Sequence, residues 1–129
     1  MKHHMATPAV HAGREDLTRL GVHAAPIDLS STYPTPDPEL AGNSLDALVA
    51  GAEHAPNSVY ARLHNPTVAR FEHALAALEG AEQAVAFGSG MAALTAVLLA
   101  LQEYGRHVVA VRPLYGGSDH LLATGLLGT

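Results

Sequence analysis

Residues 83–111 limit what this chain can fold into more than any other stretch. Gln83-Ala-Val-Ala-Phe87 is a short apolar run of strand length, and Gly88-Ser89-Gly90 interrupts it. Gly90 to Leu101 is then apolar on every side, as a helix packed on both flanks would be. Gly105 ends that segment, and His107-Val-Val-Ala-Val111 repeats the pattern of a buried strand. Strand, helix and strand in such quick succession predict a βαβ unit with parallel strands and a right-handed crossover. A parallel sheet has both faces covered, and two strands alone do not make a stable one. The expectation is an α/β domain with a mainly parallel sheet, of which this sequence carries only the beginning.

The residues on either side extend the same grammar. Asn65 predicts an N-cap, Pro66 fits the first helical turn, and Val68, Phe71, Leu75 and Leu78 recur at spacings of three and four. Gly80 stops that helix. A further helix is expected from near Ser118, with Leu121, Leu122 and Leu126 as its apolar stripe.

Upstream the character changes, for the first sixty residues hold six of the eight prolines. Periodicity is strong only over Ser44 to Ala50. Val22 to Tyr33 reads as extended, with Pro26 and Ser30-Ser31-Thr32 denying it a helix, and Tyr33 to Glu39 as a proline-spaced rod. Such a segment cannot bury itself, yet Ile27, Leu29 and Tyr33 are apolar groups that a solvated tail does not need. The predicted organisation is a tail or tag remnant over 1–5, an extended N-terminal arm over 6–64, and the first part of an α/β domain over 65–129.

Composition excludes several classes of function. A net charge of −5, with nine histidines counted as neutral, leaves no basic footprint for nucleic acid. The longest apolar stretch, Val85 to Leu101, is broken by Gly88-Ser89-Gly90 and Thr95, so no membrane span is expected. The chain has no cysteine, which removes thiolate metal sites and disulfides and favours a cytoplasmic setting. The histidines are scattered singly beyond His3-His4, so no metal site is expected. Glu15-Asp16 reads as a solvated pair of charges.

Three places carry candidate chemistry. The turn Gly88-Ser89-Gly90-Met91, between strand and helix, either packs tightly or offers its N–H groups and the helix dipole to an anion. Leu94 and Thr95 occupy the place of the next glycine of a dinucleotide fingerprint, and no lysine follows to make a P-loop, so a single phosphate is the ligand it suits. Tyr60 and Arg62 either grip a phosphate with a phenol and a guanidinium fork, or Arg62 pairs with Glu72 at the surface. Tyr115, in the loop after the second strand, either stacks on a flat heterocycle or fills space.

The order and spacing of these pieces are more specific than any one of them. The matching runs are Ala9-Val-His-Ala-Gly13, Pro26-Ile-Asp-Leu-Ser-Ser-Thr-Tyr33, Tyr60-x-Arg-x-x-Asn-Pro-Thr67, Leu78-Glu-Gly80, Ser89-Gly-Met-Ala-Ala93 and Leu114-Tyr-Gly-Gly-Ser118. In these the sequence resembles the cystathionine γ-synthase-like, or transsulfuration, family of pyridoxal-phosphate (PLP) enzymes, of aspartate-aminotransferase-like fold (PLP fold type I). The resemblance implies that Ser89, Gly90 and Met91 bind the cofactor phosphate and that Tyr115, a catalytic residue, stacks on its ring. It implies further that Tyr60 and Arg62 reach the phosphate of a neighbouring subunit, on which the arm lies, in a homotetramer built from dimers with shared sites.

Such enzymes need a lysine to hold the cofactor and move protons. The only lysine here is Lys2, in the tail. The resemblance therefore implies a front portion of a longer enzyme, inactive alone, whose lysine, pyridinium-pairing aspartate and carboxylate-binding arginine lie further on. Gly116-Gly117 resembles cystathionine γ-lyases and γ-synthases, which implies γ-elimination or γ-replacement on a homoserine- or cystathionine-type amino acid. The long insertion Pro34 to Val59 resembles methionine γ-lyases, many of which carry cysteine where Gly117 stands. Methionine γ-lyase or O-acetylhomoserine sulfhydrylase is thus the alternative, and a non-catalytic remnant that binds a phosphate ligand or a full-length homologue is the alternative of another class.

Overall fold

The computed structural model describes residues 5–52, 55, 57–105 and 107–124. Lys2 and Leu126 lie outside the described residues, as does most of the predicted tail. The chain divides into two compact units, Met1–Ala86 and Phe87–Thr129.

The described residues of the first unit form four helices: α1 (Ala6–His11), α2 (Leu17–Leu20), α3 (Pro38–Val49) and α4 (Pro66–Glu79). α4 begins and ends as its sequence dictates. Asn65 is extended and its Oδ1 accepts from the N–H groups of Thr67 and Val68, Pro66 stands at the first position, and Gly80 closes the helix at φ +67°. Upstream, α1 and α2 were not legible, and α3 was marked only by the periodicity from Ser44 onward. α3 starts inside the segment read as a proline-spaced rod, because Asp37 accepts from Glu39 N–H and Leu40 N–H and Pro38 takes the position whose N–H is not needed. Val22 to Tyr33 does run without helix, as expected.

α1 lies against α4, and two expectations are corrected in this region. The buried residues of α4 are small, Ala69 and Ala76, while Phe71 of the predicted apolar stripe stays 57% exposed. Glu15 and Asp16 are engaged, not simply solvated. Asp16 Oδ1 and Oδ2 accept from Arg70 Nη1 and Nη2 at 2.5 and 3.1 Å, and Arg70 Nη1 also donates to Gly13 O at 2.7 Å. His73 Nε2 lies 3.4 Å from Glu15 Oε1. Gly13 sits where α4 passes at φ +74°, and a Cβ there would be 2.7 Å from Arg70 O. Only glycine accepts both the dihedral and the approach.

The second unit holds α5 (Gly90–Ala100) and α6 (Gly116–Thr124), which pack together. α6 begins close to the predicted Ser118. No described residue of α5 is buried, so the expectation of a helix packed on both flanks is not met within these residues. The predicted strands differ too. Residues 83–87 and 107–111 form neither helix nor strand ladder among the described residues, and Val109 is 95% exposed. A strand is defined by its neighbours' hydrogen bonds, and an apolar run does not by itself supply them. None of the described helices is long and apolar enough to cross a membrane.

Candidate functional site

Within the first unit, Tyr60 and Arg62 occupy a turn whose two ends are both fixed. On the upstream side Thr32 and Tyr60 form an antiparallel bridge, with Tyr33 N–H donating to Val59 O (3.2 Å) and Ala61 N–H to Ser31 O (2.9 Å). The turn then closes on itself, for Leu63 and His64 both donate to Tyr60 O. On the downstream side stands Asn65, the cap of α4. The Arg62 guanidinium lies 5.0 Å from the centre of the Tyr60 ring, a cation–π distance. Glu72, the alternative partner of Arg62, instead accepts from Ala86 N–H at 2.6 Å. Arg62 makes no ion pair among the described residues, and its charge is exposed beside an apolar groove of about 590 Å³ lined also by Leu45, Leu48 and Val68. A planar cation backed by a phenol and not neutralised by a carboxylate suits a dianion.

Asn65 does more than cap. Its Nδ2 donates to Asp28 O and to Tyr33 Oη, both at 3.3 Å. Thr67 Oγ1 accepts from Asp28 N–H at 2.7 Å. Burial first, and then the charge of Asp28, raise the Tyr33 phenol above its ordinary pKa, outweighing the opposite effect of Asn65. Sequence reasoning placed Asp28, Asn65 and Thr67 in the matching runs and read Asn65 as a cap, but missed the bonds that join them. Their partners are 37 and 39 positions away along the chain, and no local pattern carries that information.

In the second unit the glycine turn leads into α5 with Ser89 as its cap. Ser89 is extended, its Oγ accepts from Ala92 N–H (3.1 Å) and its carbonyl from Ala93 N–H (3.1 Å). The N–H groups of Gly90 and Met91, at the first two positions of α5, are left without a partner among the described residues. Two adjacent N–H groups at the positive end of a helix dipole are suited to a phosphate. Tyr115 and Met91 flank one point: a Cβ at Gly117 would be 2.8 Å from Tyr115 Cε1 and 3.2 Å from Met91 Sδ. Ser118 Oγ contacts the same sulfur at 3.7 Å. Tyr115 itself is 74% exposed, its ring open to a stacking partner. Ser89, Gly90, Met91 and Tyr115 thus belong to one unit, and Tyr60 and Arg62 to the other.

Comparison with known proteins agrees with the residue pattern. The family model described as Cys/Met metabolism PLP-dependent enzyme matches residues 6–126. The chain belongs to this family. Its relatives include the L-methionine gamma-lyase of Streptomyces avermitilis, 66% identical over 95% of this chain and 30% of the relative. The L-methionine gamma-lyase of Brevibacterium aurantiacum is 57% identical over 98% of this chain and 32% of the relative. The O-succinylhomoserine sulfhydrylase of Pseudomonas aeruginosa is 40% identical over 89% and 27%. The chain therefore spans about a third of the length of these relatives. The family is PLP-dependent, of fold type I, and acts on small amino-acid substrates.

Proposed function

We propose that this chain forms the N-terminal, phosphate-holding part of a PLP-dependent methionine γ-lyase. The observation that carries the substrate is the pair of methionine γ-lyases at 66% and 57% identity across almost the whole chain. The Gly116-Gly117 resemblance to cystathionine enzymes concerns two residues and weighs less. Gly117 has its own structural reason, since a side chain there would meet the Tyr115 ring.

The residues present fit the cofactor. Gly90 and Met91 would donate their unused N–H groups to its phosphate while Ser89 holds the helix start, and Tyr115 would stack on its ring. Tyr60 and Arg62 would serve the phosphate of a neighbouring subunit, in a homotetramer built from dimers. PLP, when bound, supplies an electron sink for carbanion chemistry at the amino acid. The lysine, aspartate and carboxylate-binding arginine that such chemistry needs belong, on this reading, to residues beyond these in the full-length protein. In that protein residues 83–87 and 107–111 would find their partners as neighbouring parallel strands.

The test uses the full-length protein carrying this sequence, loaded with PLP. Thiol release from methionine should exceed, in kcat/KM, the turnover of cystathionine and of O-acetylhomoserine with sulfide. Preference for cystathionine by tenfold or more would replace the substrate and keep the family. Failure to retain PLP on dialysis would remove the cofactor roles assigned to these residues.

A further inference from the structure

The turn that carries Tyr60 and Arg62 is closed at both ends by one piece of the arm. Residues 31–33 hold its upstream end through the Thr32–Tyr60 bridge and the two backbone bonds beside it. Asp28 and Tyr33 hold its downstream end, through Thr67 Oγ1 on Asp28 N–H and Asn65 Nδ2 on Asp28 O and Tyr33 Oη. Between these two attachments the arm is itself bent by Asp28, whose Oδ1 accepts from Ser30 N–H at 2.8 Å. Arg62 is exposed, and apart from the Tyr60 ring no described partner fixes its guanidinium. Its placement therefore depends on the backbone beneath it, and that backbone is tied at both ends by residues 28–33.

We infer that Asn65 and Thr67 are positioning residues for the Tyr60–Arg62 phosphate grip, acting through Asp28 of the arm. The inference rests on the functional reading above, and adds to it a device that neither contacts the cofactor nor carries charge. The arm segment 28–33 becomes part of the grip, since it sets the distance between the start of α4 and the strand-like residues 59–61. A guanidinium fork must meet a phosphate within tenths of an ångström to donate two bonds, so loosening its base weakens the charged contact before it disturbs the fold.

The experiment compares PLP with unphosphorylated pyridoxal by equilibrium dialysis on the full-length protein. The wild type should prefer PLP. Thr67→Val removes the acceptor for Asp28 N–H at nearly constant shape and should narrow the preference about two- to twelvefold, the equivalent of one hydrogen bond. Thr67→Ser should restore it. Asn65→Ser keeps a capping oxygen for α4 and loses the Nδ2 donor without adding charge, so it should narrow the preference, and it decides the matter should Thr67→Val not fold. A role confined to holding the fold would weaken both ligands alike, and that result overturns the inference while leaving the functional reading in place. A wild type that binds the two ligands equally overturns both.

Discussion

Gly13→Ala tests the packing of the N-terminal helix on α4, and its cost divides into two parts that can be measured apart. The backbone at Gly13 has φ +74°, a left-handed conformation that costs an alanine about 1–2 kcal/mol. The added Cβ would also stand 2.7 Å from Arg70 O and 3.2 Å from Ala74 Cβ. The first of these is helix backbone and cannot turn aside, so relief requires α1 to move off α4. Overpacking of this kind costs about 1–3 kcal/mol, and the sum is about 2–5 kcal/mol. Gly21→Ala is the control, for Gly21 has φ +67° and nothing within 4 Å of the Cβ position. It should show the conformational part alone. Urea unfolding followed by circular dichroism reads both, and with a slope of about 2 kcal/mol per molar the difference between the variants is about 0.5–1.5 M. Equal midpoints for the two variants would refute the steric argument and with it the close α1–α4 approach.

Three further outcomes are expected. Hydrogen bonding to Arg70, opposed by partial burial, holds the Asp16 carboxyl below the usual carboxylate range. A lowered pKa in the folded state stabilises above the unfolded value near ~3.9 and is lost as pH falls through the folded one. The unfolding midpoint should thus decline on acidification below about pH 4–5, and decline less in Asp16→Asn. Arg62→Ala in the full-length protein should weaken PLP retention by about 1.5–3 kcal/mol, measured by dialysis, and mixing it with a subunit lacking the cofactor lysine should restore activity if sites are shared between subunits. Gly117→Ala should turn the Tyr115 ring away, because an exposed ring yields more easily than backbone. PLP affinity should fall by the value of a stacked pair, about 0.5–1.5 kcal/mol, with melting almost unchanged. A fall in melting temperature with intact affinity would contradict that account.

What the sequence discloses about this fold is what neighbours along the chain decide. The start and stop of α4 follow from Asn65, Pro66 and Gly80, each acting within one turn, and the same holds for Ser89 before α5. α3 was within reach as well, since Asp37-Pro38-Glu39 is a cap, a first-turn proline and an acidic first-turn residue, but three prolines in a row of seven residues pointed to a rod. Contacts across long separations stayed hidden. Asp16 meets Arg70 at a separation of 54 residues, and nothing in Glu15-Asp16 distinguishes that pair from solvated charges. The strands expected at 83–87 and 107–111 form no ladder among the described residues, for an apolar run is a statement about burial and does not name a partner. The candidate cofactor residues were legible only as an ordered set, and Asp28 and Thr67 were legible as members of the matching runs without the bond that joins them.

Asn65 uses both ends of one amide, the oxygen for α4 and the nitrogen for the arm. Over evolutionary time this makes the position a two-sided problem. Aspartate keeps the helix start and abandons the arm, glutamine carries its donors one methylene too far, and serine caps without reaching Tyr33. A lineage that replaces Asn65 must find another anchor for Asp28 and Tyr33. Substitutions at 33, 65 and 67 should accordingly arrive together among descendants of this sequence, whereas Ile27, Asp28 and Leu29, whose side chains take no part in the bonds to Asn65 and Thr67, should drift independently of them.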